Sequence, residues 1–231
     1  MDKALQNNYE KVKQRIEEAC NKYRSSSDCV QLLAVSKTKP IEMVNTIAEL
    51  GQKHFGENYV QEALEKIDQR PDLIWHFIGP IQSNKTRPIA ENFNWVHSVD
   101  RLKIAQRLND QRPDDKGKLN ILLEVNISQQ ATKSGFSANE LSDALKQIAT
   151  MDNLQVRGLM AIPQPSSDFN QQRQTFAAMQ QLLVDLQQEF PELQLDTLSM
   201  GMSGDLEAAI AEGATIVRIG TDIFGARDYS K

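Results

Sequence analysis

A chain of 231 residues with 40% hydrophobic and 25% charged side chains has the composition of an ordinary folded globular protein and buries a core without disulfide or metal staples. Its formal net charge of −5 excludes general attraction to nucleic acid or anionic membranes, although a local basic site can still hold a phosphate. No apolar run approaches the roughly 20 residues of a membrane-spanning helix. The opening MDKALQNNYEKVKQRIEEAC has no apolar signal core, and Cys20 and Cys29 have neither CxxC nor metal-ligand spacing. The expectation is a cytoplasmic protein with reduced thiols and no metal site.

In chain order, an amphipathic helix over 5–23 comes first. A strand-like run, 31–36 (QLLAVS), leads to a helix over 41–50 that starts after Pro40 and stops at Gly51. Run 53–56 (KHFG) precedes a helix over 60–67. Runs 74–79 (IWHFIG) and 95–99 (WVHSV) follow, then a helix over 102–108. Run 119–127 (LNILLEVNI) precedes a helix over 141–151, and run 155–162 (QVRGLMAI) precedes one over 176–190. Run 195–200 (LDTLSM), a short helix over 206–211 and run 215–220 (TIVRIG) complete the chain. Segments 110–118 and 163–168 are rich in turn-formers and read as loops.

Several of these eight runs are continuously apolar, as in parallel strands covered on both faces. Eight strand–helix units with no long linker predict one domain over 1–231. That domain is a single (β/α)8 TIM-type barrel with an extra N-terminal helix. An open doubly wound sheet is the alternative reading of the same alternation.

In such a barrel, function gathers where strands end. The first run opens into Ser36-Lys37-Thr38-Lys39-Pro40, the second into Glu57-Asn58-Tyr59, and the third leads to Gln82-Ser83-Asn84-Lys85. The sixth reaches Met160, the seventh Ser199-Met200-Gly201-Met202-Ser203-Gly204, and the eighth Arg218 and Gly220-Thr221. The last two loops are small and hydroxyl-bearing, which suits a phosphate: glycines admit close backbone approach, and a helix beginning near Ser203 would aim free N–H groups at an anion. An N-cap serine beside turn glycines is the plainer account of the same residues. Lys37 follows an apolar strand, where desolvation favours the neutral, nucleophilic amine; an exposed loop lysine stays open as well. His54, His76 and His97 each fall inside a strand run and read as satisfied core residues, with no HxH or HExxH spacing.

LLAVSKTKP (32–40), FGENYVQE (55–62), WHFIGPIQSNK (75–85), GLMAIP (158–163), LSMGMSGDLEAAI (198–210) and VRIGTDIFGARDY (217–229) together resemble the pyridoxal phosphate homeostasis family (YggS/PROSC). The blocks run in order with matching spacing from the first strand to the C-terminus. The resemblance implies a barrel akin to the alanine racemase N-terminal domain, holding pyridoxal 5′-phosphate (PLP) as a Schiff base. Lys37 matches the PLP-linked lysine and Asn58 a residue lining the ring. Met160 and Met200 match positions flanking the pocket. Ser199, Ser203, Gly220 and Thr221 match the phosphate loops, and Arg218 matches an arginine facing the pyridine nitrogen.

A permanently charged arginine cannot return a proton to that nitrogen, which weakens the cofactor as an electron sink. The resemblance therefore implies a monomeric PLP carrier that serves vitamin B6 homeostasis and amino-acid balance, with apo PLP-dependent enzymes as recipients, no catalytic residues and no second domain. An amino-acid racemase is the competing reading and needs an opposing base; Tyr59 and Tyr229 are the tyrosines nearest the motifs. A sugar-phosphate enzyme would need rim carboxylates, for which Glu57 and Asp222 are the candidates, both also explicable as helix caps. If Lys37 is not the attachment point, Lys133 and Lys85 are next.

Overall fold

The computed structural model describes residues 2–26, 30–128 and 134–226. Cys29, Lys133 and Tyr229 lie outside the described residues. Helix α1 (Lys3–Tyr23) is capped by Asp2, whose carboxylate accepts from Ala4 N and Leu5 N, satisfying backbone donors that an open helix end leaves unpaired. The chain then alternates β1 (Gln31–Val35), α2 (Ile41–Glu49), β2 (His54–Glu57), α3 (Val60–Gln69), β3 (Ile74–Phe77), α4 (Thr86–Asn92), β4 (Trp95–Val99), α5 (Leu102–Gln111) and β5 (Leu119–Glu124). It continues with α6 (Leu141–Ile148), β6 (Leu154–Met160), α7 (Phe169–Glu189), β7 (Thr197–Ser199), α8 (Leu206–Ala211), β8 (Ile216–Ile219) and α9 (Thr221–Phe224).

All eight strands pair in parallel, in sequence order, and β1 pairs with β8 through Gln31–Ile216 to Ala34–Ile219. That last pairing closes the barrel and excludes the open sheet, whose terminal strands would be edges. Alternate side chains point to opposite faces of each strand. Phe55 packs on Trp75 with ring centroids 5.7 Å apart, and Phe77 meets Phe93, which follows α4, at 5.3 Å. All four are essentially buried. They belong to the apolar layer between strands and helices.

The structure departs from the expected elements in a few places, each with a local reason. Helix α4 was not expected: it is short and carries Pro88, which its first turn tolerates because no N–H is needed there. Helix α7 begins seven residues before the expected 176, because Asp168 caps it on Asn170 N and Gln171 N. Its first two turns, FNQQRQT, are too polar to announce a buried face. Run 195–200 contracts to the three residues of β7. Helix α1 packs on α2, α8 and α9 and buries Leu5, Tyr9, Val12, Ile16 and Ala19, a helical stripe. Its Arg15 bonds to Glu207 Oε1 of α8 at 2.9 Å and to Asp222 Oδ2 of α9 at 2.6 Å.

Candidate functional site

The turn after β1 is held from below. Ser36 is fully buried and donates its hydroxyl to Glu57 Oε1 at 2.6 Å. Lys66 Nζ, on α3, donates to Glu57 Oε1 (2.7 Å), Glu62 Oε1 (2.6 Å) and the Ser36 carbonyl (2.8 Å). Glu62 Oε1 in turn accepts from Thr38 N at 2.7 Å. Both neighbours of Lys37 are thus clamped by one buried ion cluster. The clamp also holds Thr38 at φ 63°, a left-handed conformation that a β-branched residue rarely adopts. Burial pushes the Glu57 carboxyl above its ordinary value, and Lys66 and Ser36 pull against that shift. Glu57 is therefore not a helix cap, and Asp222 is bound to Arg15.

At the mouth where the strands end, a cavity of about 300 Å³ opens. Its polar lining is Lys37, Asn58, Ser203, Arg218 and Thr221; Val35, Ile78, Ile162 and Met202 form apolar walls; Gly204 and Gly220 contribute backbone. Lys37 is partly buried. Gly79 is required behind it: a Cβ there would lie 2.5 Å from the Asn58 carbonyl oxygen, so only glycine lets the β3 loop pass against Asn58. Asn58 Oδ1 is buried with no hydrogen-bond partner, an acceptor left for a bound molecule. A second lobe of about 330 Å³ shares Asn58, Ile78 and Ile162 and adds Ser98, Asp100, Glu124 and Asn126. A depression of about 390 Å³ beside Pro163, Gln172 and Asp205 contains none of the nine expected residues.

Arg218 is almost wholly buried, and desolvation lowers its pKa to about 10, so it stays cationic at neutral pH. Its Nη1 donates to Ser199 Oγ at 2.7 Å and its Nη2 to the Ala161 carbonyl at 2.9 Å. The structure brings six of the nine expected residues, Lys37, Asn58, Ser203, Arg218, Gly220 and Thr221, to one cavity. It does not place the other three on its wall. Met160, Ser199 and Met200 are buried beneath it, and Ser199 serves Arg218 rather than an anion loop. The apolar walls are instead Ile162 and Met202, two of the few exposed large hydrophobics, with Val35 and Ile78. Helix α8 has the expected bounds, Leu206–Ala211, so Ser203 precedes its first turn; Asp205 is at its N-cap and accepts from Met202 N at 2.7 Å.

Sequence reasoning missed Lys66 and Arg15. Lys66 carried one signal: it sits three residues after Ala63 and beside Ile67, on the apolar face of α3. Arg15 lies on a polar face like any solvated arginine. Tyr59 is 52% exposed and is not part of the cavity lining. Among the described residues, no group of three His, Cys, Asp or Glu could hold a metal, and no helix is long and apolar enough to cross a membrane.

The profile of the alanine racemase N-terminal domain matches residues 3–228. The chain is similar to the pyridoxal phosphate homeostasis protein of Pasteurella multocida, 50% identical over 98% of this chain and 99% of that one. It is likewise similar to that of Pseudomonas aeruginosa, 56% identical over 96% and 95%. Among solved structures it resembles PipY of Synechococcus elongatus with PLP bound: TM-score 0.81, 36% identity, covering 93% of this chain and all of that one.

Proposed function

Because the chain belongs to the pyridoxal phosphate homeostasis protein family, within that of the alanine racemase N-terminal domain, we propose that it binds PLP as a Schiff base on Lys37 and yields it up again without transforming amino acids. One observation carries the reading: among the described residues, Lys37 and Arg218 are the only ionisable side chains lining the cavity of about 300 Å³, which also presents Ser203, Thr221 and two glycines. An amine for an aldehyde, a cation for a ring nitrogen, and hydroxyls with bare backbone for a phosphate together match the functional groups of PLP. The volume is at the small end of ligand pockets. Asn58 Oδ1 offers an acceptor that the protein itself leaves unused.

When bound, PLP supplies an aldehyde that condenses with amines and a pyridine ring that withdraws electrons. The side chains decide how much of that chemistry is expressed. Arg218 keeps its proton and cannot lend it to the ring nitrogen. Moving a proton between two faces of a carbon needs an acid or base on each side, and among the described residues lining this lobe the titratable side chains are Lys37 and the permanently charged Arg218. The ion cluster of Lys66, Glu57 and Glu62 fixes the turn carrying Lys37, and Arg15 ties α8 to α9, the two helices that the hydroxyl-bearing loops lead into. The proposed role is that of a monomeric, cytoplasmic PLP carrier, acting as one unit over 1–231, that limits free aldehyde and supplies apo PLP-dependent enzymes.

The test is spectroscopic. Protein saturated with PLP is expected to show the yellow band of a protonated Schiff base, and borohydride is expected to fix the cofactor on Lys37, read by peptide mass spectrometry. Lys37→Ala abolishes the band; a normal band in that variant moves the attachment to Lys85 or Lys133. Incubation with L-alanine in heavy water is expected to leave the α-proton unexchanged, and exchange at turnover rates overturns the carrier reading in favour of a racemase. Mixing loaded protein with an apo PLP-dependent enzyme and following its activity tests the transfer.

A further inference from the structure

Below the cavity, three histidines from three adjacent strands join end to end. His54 Nδ1 lies 2.9 Å from His76 Nε2, His76 Nδ1 lies 2.8 Å from His97 Nε2, and His97 Nδ1 lies 2.9 Å from Ser199 Oγ. Ser199 Oγ accepts from Arg218 Nη1 at 2.7 Å. Strands β4 and β7 are not neighbours, so the His97–Ser199 bond crosses the barrel interior. The chain climbs from His54, the first residue of β2, to Ser199, the last of β7. His76, His97 and Ser199 are fully buried and His54 is partly exposed. The mechanism proposed above uses none of the three rings.

A neutral imidazole has one donor and one acceptor nitrogen. Every ring here offers Nδ1 to one neighbour and Nε2 to the other, so the chain has only two self-consistent polarities. In one, each ring carries its proton on Nδ1, and Ser199 Oγ must accept from both His97 and Arg218. Its own hydroxyl proton is then buried with no acceptor among the described residues, where His97 and Arg218 are its side-chain partners. In the other, each ring carries its proton on Nε2, the Ser199 hydroxyl donates to His97 Nδ1, and its lone pair faces Arg218. An orphaned buried donor costs about 1–3 kcal/mol, a preference of roughly five-fold to a hundred-fold for the second polarity. A guanidinium can only donate, so Arg218 sets the direction of the whole chain.

We infer that His97 is a positioning residue for Arg218: it fixes the Ser199 hydroxyl that locates the guanidinium on the cavity floor, while His76 and His54 hold His97 in its Nε2–H form. Burial drives the pKa of His76 and His97 well down, and the Arg218 charge adds to the effect at His97. The chain therefore orders the cation without bringing a second charge beneath the ring. Trp95 stacks on His76, with ring centroids 5.5 Å apart and planes 9° apart, and restrains its rotation.

The inference rests on the reading that Arg218 meets the cofactor ring, but its first test needs no cofactor. Long-range proton–nitrogen correlation on the full chain labelled at histidine is expected to show His76 and His97 neutral, protonated at Nε2 and bare at Nδ1, from about pH 6 to about pH 8. A proton on His97 Nδ1, or a charged ring, overturns it. In a second arm, His97→Asn leaves an acceptor near the Nδ1 position, whereas His97→Gln places its amide near Nε2 and leaves the Ser199 hydroxyl unpaired. The Asn variant is expected to keep the wild-type PLP spectrum, and the Gln variant to shift it and lose about five-fold or more in PLP affinity. Equal behaviour of two folded variants sinks the positioning role. If the tautomers are as assigned but the wild type takes up no PLP, the carrier reading fails and the histidine chain stands; reversed tautomers in a PLP-binding protein fail the chain alone.

Discussion

The barrel interior and the layer between barrel and helices are built on the same strands from opposite chemistry. On β3, Trp75 and Phe77 pack on Phe55 and Phe93, while His76 between them bonds to two other histidines. The apolar layer is held by area, which is non-directional and forgiving of shape. The histidine chain in the interior is held by direction: each neutral imidazole has one donor and one acceptor, so a change at one end propagates. That difference says where a substitution should alter stability alone and where it should alter the site.

The largest effects should come from a matched pair of truncations. Trp75→Ala empties the outer layer and is expected to cost about 3–5 kcal/mol in denaturant unfolding, with the PLP spectrum of the folded fraction unchanged. Lys66→Ala is expected to cost a similar 3–5 kcal/mol, because it leaves Glu57 fully buried and unpaired. It should also slow borohydride trapping at Lys37, since the clamp on Ser36 and Thr38 is lost. If Lys66→Ala leaves trapping untouched, the cluster is structural only.

A pH series separates the two regions without mutation. His76 and His97 have folded pKa values well below their ordinary 6.5, so in acid the unfolded chain binds protons that the folded chain refuses. Stability is complete above about pH 6.5 and falls as the pH drops below it, each histidine contributing a slope of up to about 1.4 kcal/mol per pH unit. His54 is lowered too and adds to this slope, while Glu57 and Asp205, whose carboxyls are raised by burial, work in the opposite sense and cancel at most two of the three histidines. The net expectation between about pH 6 and pH 5 is a loss near 1.4 kcal/mol per unit or steeper, read from denaturant midpoints. A flat profile there breaks the picture of a neutral interior.

The smallest effect belongs to Arg15→Ala. Its ion pairs to Glu207 and Asp222 are about one-third exposed, so the loss should be about 0.5–1 kcal/mol. It is expected to appear as weaker PLP binding more than as a lower midpoint, because Arg15 also holds the Ser203 carbonyl at 3.2 Å. High salt should erase most of the difference.

Much of the molecule was legible in the one-dimensional pattern. Eight apolar runs alternating with amphipathic stretches favour closure into a barrel, and loops at the ends of parallel strands are where ligands bind; that logic and the family blocks point to Lys37, Asn58, Ser203, Arg218, Gly220 and Thr221, which the structure brings to one cavity. Met160 and Met200 match family positions that flank the pocket, yet both are buried and neither lines the cavity; burial beneath a wall and a place on it look alike in a sequence block. Helices α4 and α9 were too short, or too interrupted by proline, to leave a period.

What the sequence determined by itself is whatever depends on spacing along the chain: the number and order of the strands, most of the helices between them, and within a few residues where each strand ends. What only the tertiary structure decided is which distant groups share a proton or an ion. His54, His76 and His97 sit about twenty residues apart, His97 meets Ser199 across 102 positions, and Lys66 reaches back thirty residues to Ser36. Periodicity reports a face, because burial is a property of one residue against its neighbours in a helix or strand. Hydrogen-bond direction belongs to a pair, and the pair exists only after β1 has met β8 and the barrel interior has closed.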